Sequence, residues 1–270
     1  MSGLRNTSLI LLLVLLGGCA STPDEHADPR DPMESYNRKV FRFNQAFDDK
    51  ILKPVAKRYK AIVPEPINRG ITNFFRNIAD INSVLNNLLQ LKLSRAGSDI
   101  ARLAVNTTVG VVGFFDVATN LGFPSYKEDL GQTFGYWGDD SSAYMVLFFL
   151  GPSTLRDAIG LTGGMVTNPF FYLNNDPVYW GLNAFEVLDT RADLLNAGEL
   201  LEEMAIDPYI FTRNAYLQSR RNKIFDGSPP ESPEEEDIWM DESDAEVAEN
   251  DSEAAVPKPE IREPAPDPSQ

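Results

Sequence analysis

The chain has 270 residues, with 40 acidic and 24 basic side chains, one cysteine and one histidine. A lone cysteine excludes an intramolecular disulfide, and one cysteine with one histidine cannot form a tetrahedral zinc site of Cys/His type. A catalytic triad or a Cys-His pair would have to use His26, which lies in a Pro/Asp-rich stretch near the start of the chain. We therefore expect no metal site and no histidine-based catalysis.

The first 18 residues have the layout of a bacterial secretory signal peptide, with Arg5 ahead of the apolar run Leu9–Leu16. The run is far shorter than the roughly 20 residues that a membrane-spanning helix needs. The sequence Leu16-Gly17-Gly18-Cys19 is similar to a lipobox. It predicts cleavage before Cys19, which would then carry covalent N-acyl and S-diacylglycerol groups. An ordinary signal peptide with a chance cysteine is the alternative.

Acylation at Cys19 would tether the protein permanently, because two or more acyl chains hold a protein stably on a bilayer. The next residue is Ala20 rather than aspartate, as in bacterial lipoproteins that are sorted to the outer membrane. We therefore expect a lipid-anchored body at the periplasmic face of the cell outer membrane. Residues 20–32 are small, polar and proline-containing, which is typical of a short linker.

From residue 33 to residue 226, apolar side chains recur at spacings of three and four, the pattern of amphipathic helices. Alternating strand patterns with Asn-Gly or Asp-Gly turns are absent from this region. The sequence therefore predicts an all-α fold for one helical domain. The helical stripes are Met33–Phe47, Ile71–Leu91, one from Ile100, Val178–Leu188, Leu194–Leu201 and one after Pro208.

Two apolar segments, Val109–Phe123 and Tyr144–Leu150, do not have the pattern of a helix on the surface of a soluble protein. Neither reaches the length of a membrane span. In a water-soluble helical domain both would be core. On a body that is already tethered to a membrane, they could instead lie in the bilayer, and the sequence leaves this choice open.

Residues 227–270 contain 15 of the acidic residues, two basic residues and eight prolines, which accounts for most of the net charge of -16. Such a segment cannot bury enough apolar surface to offset the entropy of ordering, so we expect a disordered acidic tail. The remaining residues are close to neutral. They lack the basic surface that nucleic-acid binding needs, and we expect no nucleic-acid partner.

A search for catalytic motifs finds neither a Gly-x-Ser-x-Gly elbow nor a phosphate-binding glycine-rich loop with lysine. Glu128-Asp129 and Asp139-Asp140 are adjacent carboxylates, and adjacent positions usually diverge in direction, whereas a hydrolase pair needs two facing groups. Arg156 beside Asp157 and Asp189 beside Arg191 are expected to be structural ion pairs. We predict that the chain is not an enzyme and uses no cofactor.

The motifs resemble those of the MlaA/VacJ family of outer-membrane lipoproteins, in the family's order, over roughly residues 31–224. The residues that carry the resemblance are Asp31–Arg38, Phe41–Asn44, Pro54–Ala56, Asn73–Ile78, Asn106–Gly110, Gly113–Ala118, Glu128–Thr133, Gly135–Gly138, Gly151–Asp157, Asp189–Ala192 and Asp207–Ile210.

The resemblance implies a ring-shaped multi-helix body, embedded in one membrane leaflet, with a central amphipathic channel. It implies extraction of mislocalised phospholipid from the outer leaflet and transfer to a soluble periplasmic carrier of the MlaC type, in complex with a trimeric porin. This activity keeps the lipids of the outer membrane asymmetric. The alternative is a structural lipoprotein that scaffolds porins or the envelope without moving lipid; a lipid hydrolase is a third hypothesis.

The resemblance also implies a flexible hairpin beside the channel. Its candidate residues are Gly131, Gly135, Trp137, Gly138, Asp139, Asp140 and Tyr144. The residues after Gly138 lack the glycines that the family carries there. Because glycine gives a backbone its conformational freedom, this difference weakens the expectation of a hinge at this position. A lipid path needs polar groups for the headgroup and apolar walls for the tails, although helix caps or surface positions would also explain the polar candidates. The lipid-path candidates are Asn82, Asn86, Asn106, Thr107, Phe114 and Phe115.

Overall fold

The computed structural model describes residues 28–138 and 142–230. The predictions for the signal peptide, Cys19, His26, Asp139, Asp140 and the acidic tail beyond residue 230 lie outside these residues. The chain divides between Ile224 and Phe225. All the elements below belong to the part before this division.

Most of the described residues are helical, which confirms the predicted fold class. Helix α1, Glu34–Phe47, continues through a π-helical turn, Asp48–Leu52, into α2, Lys53–Ile62. The other elements are α3 (Glu65–Leu89), α4 (Leu93–Thr108), α5 (Val117–Asn120), α6 (Leu130–Tyr136), β1 (Tyr144–Leu147), β2 (Gly151–Thr154), α7 (Leu155–Thr167), a 3-10 turn (Pro169–Tyr172), α8 (Asp176–Asp193), α9 (Leu195–Met204) and α10 (Pro208–Ile224).

Side-chain caps fix the starts of α6 and α7. The Asp129 carboxylate accepts a hydrogen bond from the Gln132 N–H at 2.9 Å, and the Thr154 hydroxyl accepts one from the Asp157 N–H at 3.1 Å. Each cap satisfies an N–H group that the first helical turn leaves without a partner. These caps also place the carboxylates of Asp129 and Asp157 at neighbouring helix starts.

The two-stranded hairpin corrects the expectation that strands would be absent. Strand β1 pairs with β2 in antiparallel register, with Tyr144 opposite Thr154 and Leu147 opposite Gly151. The chain reverses without an Asn-Gly or Asp-Gly dipeptide, because Phe149 and Gly151 adopt φ values of +63° and +83°. The apolar run is therefore split: Tyr144 is buried, whereas Phe149 at the tip is 59% exposed.

Two asparagines of α1, seven residues apart, hold the hairpin against that helix. The Asn37 amide donates to the Tyr144 carbonyl at 3.2 Å and accepts from the Val146 N–H at 2.9 Å. The Asn44 amide makes a similar pair of bonds at the end of β1. It donates to the Leu147 carbonyl and accepts from the Phe149 N–H, both at 2.8 Å. These side chains satisfy the free edge of β1 as a third strand would.

The burial pattern of α3 and α4 is the reverse of that in a water-soluble helical protein. Their buried side chains include a set of polar ones: Asn68, Asn77, Asp80, Ser83, Asn86, Asn87, Asp99, Arg102 and Asn106. Their exposed side chains, with those of the adjoining turns, include large apolar ones: Ile67, Leu85, Leu88, Leu89, Leu91, Leu93, Ile100, Val109, Val111 and Val112. The later part of the stripe predicted for α3, from Leu85 to Leu91, thus faces outward, whereas Phe75 of the same stripe is buried.

The apolar segment that follows α4 also lies on the surface. Val111 and Val112 have φ values of +54° and +57° and are 61% and 55% exposed. The expectation that this segment could form core is therefore wrong for these residues. Within the residues that the structure describes, no helix combines the length and apolar character that a membrane crossing requires.

Candidate functional site

Two neighbouring cavities lie inside the helical body and share Asn82 and Asp129 as wall residues. The larger has a volume of about 430 Å³ and is bounded mainly by α3, α8 and the segment that leads into α6. The smaller, of about 260 Å³, lies between the hairpin, α7 and α10. The two cavities are therefore adjacent, with Asn82 and Asp129 in the wall that they share.

The walls of the two cavities differ in chemistry. The larger cavity is lined mostly by charged and polar side chains. The smaller one has the apolar side chains of Leu147, Leu150, Pro152 and Leu161 on one part of its wall. The pair is therefore amphipathic, and charged residues surround the junction at Asp129.

The junction contains a network of charges in which Arg220 and Asp157 are buried and the Asp129 side chain is partly exposed. Arg220 of α10 donates to the two Asp129 oxygens at 2.6 and 2.8 Å and to Asp157 at 2.7 Å. Tyr216 donates to the other Asp157 oxygen at 2.7 Å. Burial alone would raise the pKa of Asp129, but the hydrogen bonds and charge of Arg220 outweigh it and lower that pKa to about 2.

One of the two predicted ion pairs is confirmed. Arg156 lies 3.3 Å from the Asp157 carboxylate. The other is wrong, because Arg191 binds both oxygens of Asp48 at 2.7 Å. Asp189 instead faces the larger cavity and accepts hydrogen bonds from the Tyr59 and Thr72 hydroxyls at 2.9 and 2.8 Å.

The lipid-path candidates are divided between two places. Asn82 lines both cavities, and Asn86 is buried behind it, donating to the Asn82 side-chain oxygen at 3.0 Å. Asn106 donates to Asp116 at 3.1 Å, and Thr107 accepts from Asn77 at 3.0 Å. These two join α4 to neighbouring segments, away from both cavity walls.

The two phenylalanine candidates also lie away from the cavity walls. The ring of Phe114 packs so closely on Gly70 that a Cβ there would lie 2.1 Å from it. Phe115 is 55% exposed. The structure therefore brings Asn82 to the cavity walls, places Asn86 directly behind it, and leaves the other four candidates away from both cavities.

The hairpin candidates that the structure describes fall in three settings. Gly131 and Gly135 are buried in α6, and a Cβ on Gly160 of α7 would lie 2.5 Å from the Gly131 nitrogen. Trp137 is exposed at the end of α6, and Gly138 follows with a φ of +117°. Tyr144 lies buried in β1. The hinge role of this region stays a prediction.

Sequence reasoning missed most of the charged cavity wall. Three of its carboxylates, Glu186, Asp189 and Asp193, lie three and four residues apart on α8 and so share one helical face. This spacing is a signal that could have been found. The basic residues of the wall are Arg76, Lys127 and Lys223, which are distant in sequence and carry no common pattern.

Comparisons with known proteins agree with the motifs. The family model described as MlaA lipoprotein matches residues 29–223. The intermembrane phospholipid transport system lipoprotein MlaA of Escherichia coli is 33% identical over 252 residues, which cover 89% of this chain and 98% of that protein. The protein of the same description from Haemophilus influenzae is 33% identical over 237 residues, with 83% and 92% covered.

The structural comparison gives the same family. A solved structure, described as the structural basis for maintenance of bacterial outer membrane lipid asymmetry, matches with a TM-score of 0.64 at 33% identity. The match covers 72% of this chain and 98% of the solved one. The match to the family model over most of the chain, together with these relatives, shows that this chain belongs to the MlaA lipoprotein family.

Proposed function

We propose that this chain is an outer-membrane lipoprotein, anchored through Cys19, that removes mislocalised phospholipid from the outer leaflet and passes it to a soluble periplasmic carrier. This transfer would keep the lipids of the outer membrane asymmetric. The observation that carries the proposal is the reversed burial of α3 and α4, with polar side chains inside and apolar ones outside. The printed names of the relatives, which describe intermembrane phospholipid transport, support it.

The outward apolar surface supports placement of the body in a bilayer leaflet. Apolar surface left in water costs about 25 cal/mol per Å², and contact with acyl chains removes this cost. Phe43, Phe47, Phe148 and Phe149 form an edge-to-face cluster, with ring centroids 5.0 to 5.3 Å apart, and three of them are about half exposed. Helices suit such a location because they satisfy their own backbone hydrogen bonds.

The two consecutive cavities support a conduit. A phospholipid that crosses water exposes two acyl chains, which at ~0.8 kcal/mol per methylene amounts to roughly 20–25 kcal/mol. In the proposed path, the charged cavity receives the headgroup and the apolar wall near Leu150 and Leu161 receives the first part of the tails. This path corresponds to the amphipathic channel of the ring-shaped body that the family resemblance implies. It requires no bond to be broken.

We extend the resemblance to two protein partners, a trimeric porin and a soluble carrier of the MlaC type. Exposed apolar surfaces of this extent are typical of contacts with membranes or with other proteins. A porin could therefore cover part of the surface that lipid does not.

The test is a deletion strain in which phospholipid on the cell surface is labelled with a membrane-impermeant amine reagent. Deletion should raise surface phosphatidylethanolamine and detergent sensitivity, and the wild-type chain should restore both. Leu161→Arg, which puts a charge on the apolar wall, should not restore them. Ile206→Arg is the matched control, because Ile206 is fully exposed and lines neither cavity.

Unchanged leaflet composition in the deletion strain would contradict lipid transport. Loss of porin trimers with asymmetry intact would indicate the scaffold, and release of lysophospholipid or fatty acid by the purified chain would indicate the hydrolase.

A further inference from the structure

The acidic residues of the larger cavity fall into two groups. Three of them have basic partners: Asp80 lies 3.7 Å from Arg102, Glu128 lies 3.4 Å from Lys92, and Asp129 binds Arg220. The other three are Glu186, Asp189 and Asp193 of α8. None of these three carboxylates forms an ion pair with a described residue.

The carboxylates of α8 are therefore not neutralised by a described basic side chain, and burial raises the pKa of Asp189. Asp189 and Asp193 accept hydrogen bonds only from neutral groups, such as the Thr72 hydroxyl and the Asn68 amide. Glu186 has no hydrogen-bond partner within the described part of the chain. Burial, and then the neighbouring Asp189, raise its pKa.

Three cations face the same cavity from other elements: Arg76 of α3, Lys127 of the segment before α6, and Lys223 at the end of α10. No ion pair or hydrogen bond to a described residue neutralises any of them. Burial, and then the nearby positive charges of Arg76 and Lys223, lower the pKa of Lys127. Arg76 and Lys223 thus both act on the charge of Lys127, against the opposing charge of Asp80, and a bound anion would favour all three cations.

The cavity is therefore lined by charges of both signs: three cations that form no ion pair with a described residue, and three carboxylates without a basic partner. Of the three cations, Arg76 also acts on the charge of Asp189. The volume of about 430 Å³ is within the range of small-molecule sites, roughly 300–1,000 Å³.

We infer that the larger cavity is a site for a zwitterionic aminophospholipid headgroup. Arg76, Lys127 and Lys223 bind the phosphodiester, and the α8 carboxylates, with Glu186 foremost, bind the primary ammonium. A phosphoglycerol headgroup would satisfy the cations but would offer the carboxylates only neutral hydroxyls. This inference rests on the proposed function and adds the headgroup that the conduit prefers.

The test uses the full lipidated chain, reconstituted with equal amounts of dioleoyl phosphatidylethanolamine and dioleoyl phosphatidylglycerol. After extraction into mild detergent, the lipid that stays bound is quantified by mass spectrometry. An additional charge-assisted hydrogen bond predicts an enrichment of the ethanolamine lipid of about tenfold or more. Glu186→Gln should bring this ratio close to one while total bound lipid persists.

Variants separate the two halves of the site. Lys127→Gln should reduce the binding of both lipids, because both carry the phosphodiester. Asp176→Asn and Lys39→Gln are the matched controls, since these exposed residues line neither cavity, and they should behave as the wild type.

The outcomes also distinguish this inference from the proposed function. If the two lipids stay bound in equal amounts, and Glu186→Gln does not change this ratio, the headgroup inference is overturned and lipid transport still stands. If the chain retains no lipid, both are overturned. A third arm adds soluble competitors. Displacement of the lipid by glycerophosphoethanolamine but not by inorganic phosphate supports the site. Equal displacement by inorganic phosphate identifies a general anion site and overturns the inference.

Discussion

Arg220 forms a bidentate ion pair with Asp129, its nitrogens lying 2.6 and 2.8 Å from the two carboxylate oxygens. A third hydrogen bond, at 2.7 Å, joins the same guanidinium to Asp157. Since these carboxylates belong to the starts of α6 and α7, a single side chain of α10 fixes both helices. Asp129 also lines both cavities, so this pair positions part of the wall that they share.

Arg220→Gln should therefore destabilise the fold strongly. It leaves two neighbouring carboxylates, the buried Asp157 and Asp129, whose side chain is 42% exposed, without the cation that compensates them. Loss of one partner from a fully buried pair costs about 3–5 kcal/mol, and the exposure of Asp129 reduces the expected loss to about 2–3 kcal/mol. Denaturant unfolding in detergent micelles measures the change. Arg69→Gln is the control: its pair with Glu65 is 74% and 60% exposed, and such pairs contribute less than about 1 kcal/mol. Equal effects of the two variants would contradict a structural role for the network.

Acid should unfold the wild type through the same pair. The pKa of Asp129 is lowered from 3.8 to about 2 in the folded state. Its contribution is therefore present above about pH 4 and is lost as the pH falls toward 2. In Arg220→Gln the carboxylates lack this partner, so stability between pH 4 and pH 2 should fall less than in the wild type. If the stability of the two proteins fell by the same amount between pH 4 and pH 2, the pair of Asp129 with Arg220 would not be a source of the acid sensitivity.

Asp99 should give a pH dependence of the opposite sign. It is fully buried, accepts hydrogen bonds from the Asn87 amide and the Tyr126 N–H, and has its pKa raised to about 6, chiefly by burial. Its folded pKa lies above the unfolded value, so its contribution is present below about pH 4 and is lost as the pH rises through 6. Asp99→Asn should remove this loss and gain about 2 kcal/mol over the wild type between pH 4 and 7.

The measurement is the difference in unfolding free energy between wild type and Asp99→Asn across that range. Asp176→Asn, at the exposed start of α8, is the control and should give a difference that is flat with pH. A flat difference for Asp99→Asn as well would mean that the buried carboxyl does not titrate in this window.

Gly160→Ala should disrupt the crossing of α6 and α7. A Cβ at Gly160 would lie 2.5 Å from the backbone nitrogen of Gly131, and backbone cannot move aside as a flexible side chain can. We expect a loss of about 1–3 kcal/mol. Gly97→Ala is the matched control, because Gly97 lies within α4 with open space around its Cβ position. That variant should be neutral or more stable by up to about 1 kcal/mol.

The sequence predicted α1, α3, α4, α8, α9 and α10, because spacings of three and four are a local property, whereas α2, α6 and α7 were not among the predicted stripes. It did not predict which way the stripes face, since the periodicity is the same for a core and for a lipid contact. The buried asparagines of α3 were visible in the sequence, but a polar stripe usually faces water. The hairpin was missed because its edge is satisfied by Asn37 and Asn44 of a distant helix rather than by turn residues.

The candidate site shows the same limit. Asn82 was found because it lies among apolar residues of a long helix. The pairing of Arg220 with Asp129 joins residues 91 positions apart, and no local pattern connects them. Phe114 and Phe115 were candidates for the path because they are large and apolar. In this fold, however, large apolar residues are mostly on the outer surface.

Membrane contact should persist without the anchor. A secreted chain that begins at Ala20 should still float with liposomes, because its exposed apolar side chains remain. Leu93→Asp should weaken that binding about tenfold or more, since Leu93 is 67% exposed and an aspartate near the bilayer costs about 1–3 kcal/mol. The fold should tolerate the change, because Leu93 is the first residue of α4 and a carboxylate is favourable at a helix N-terminus.

Gln218→Asp, an equal change of charge at an exposed polar position of α10, is the control and should float as the unsubstituted chain does. Circular dichroism of both variants checks that their helices are intact. If the chain without its anchor stayed entirely in the aqueous fraction, the outward apolar side chains would have no contact with lipid. A protein partner would then have to cover them, and placement of the body in a leaflet would be wrong.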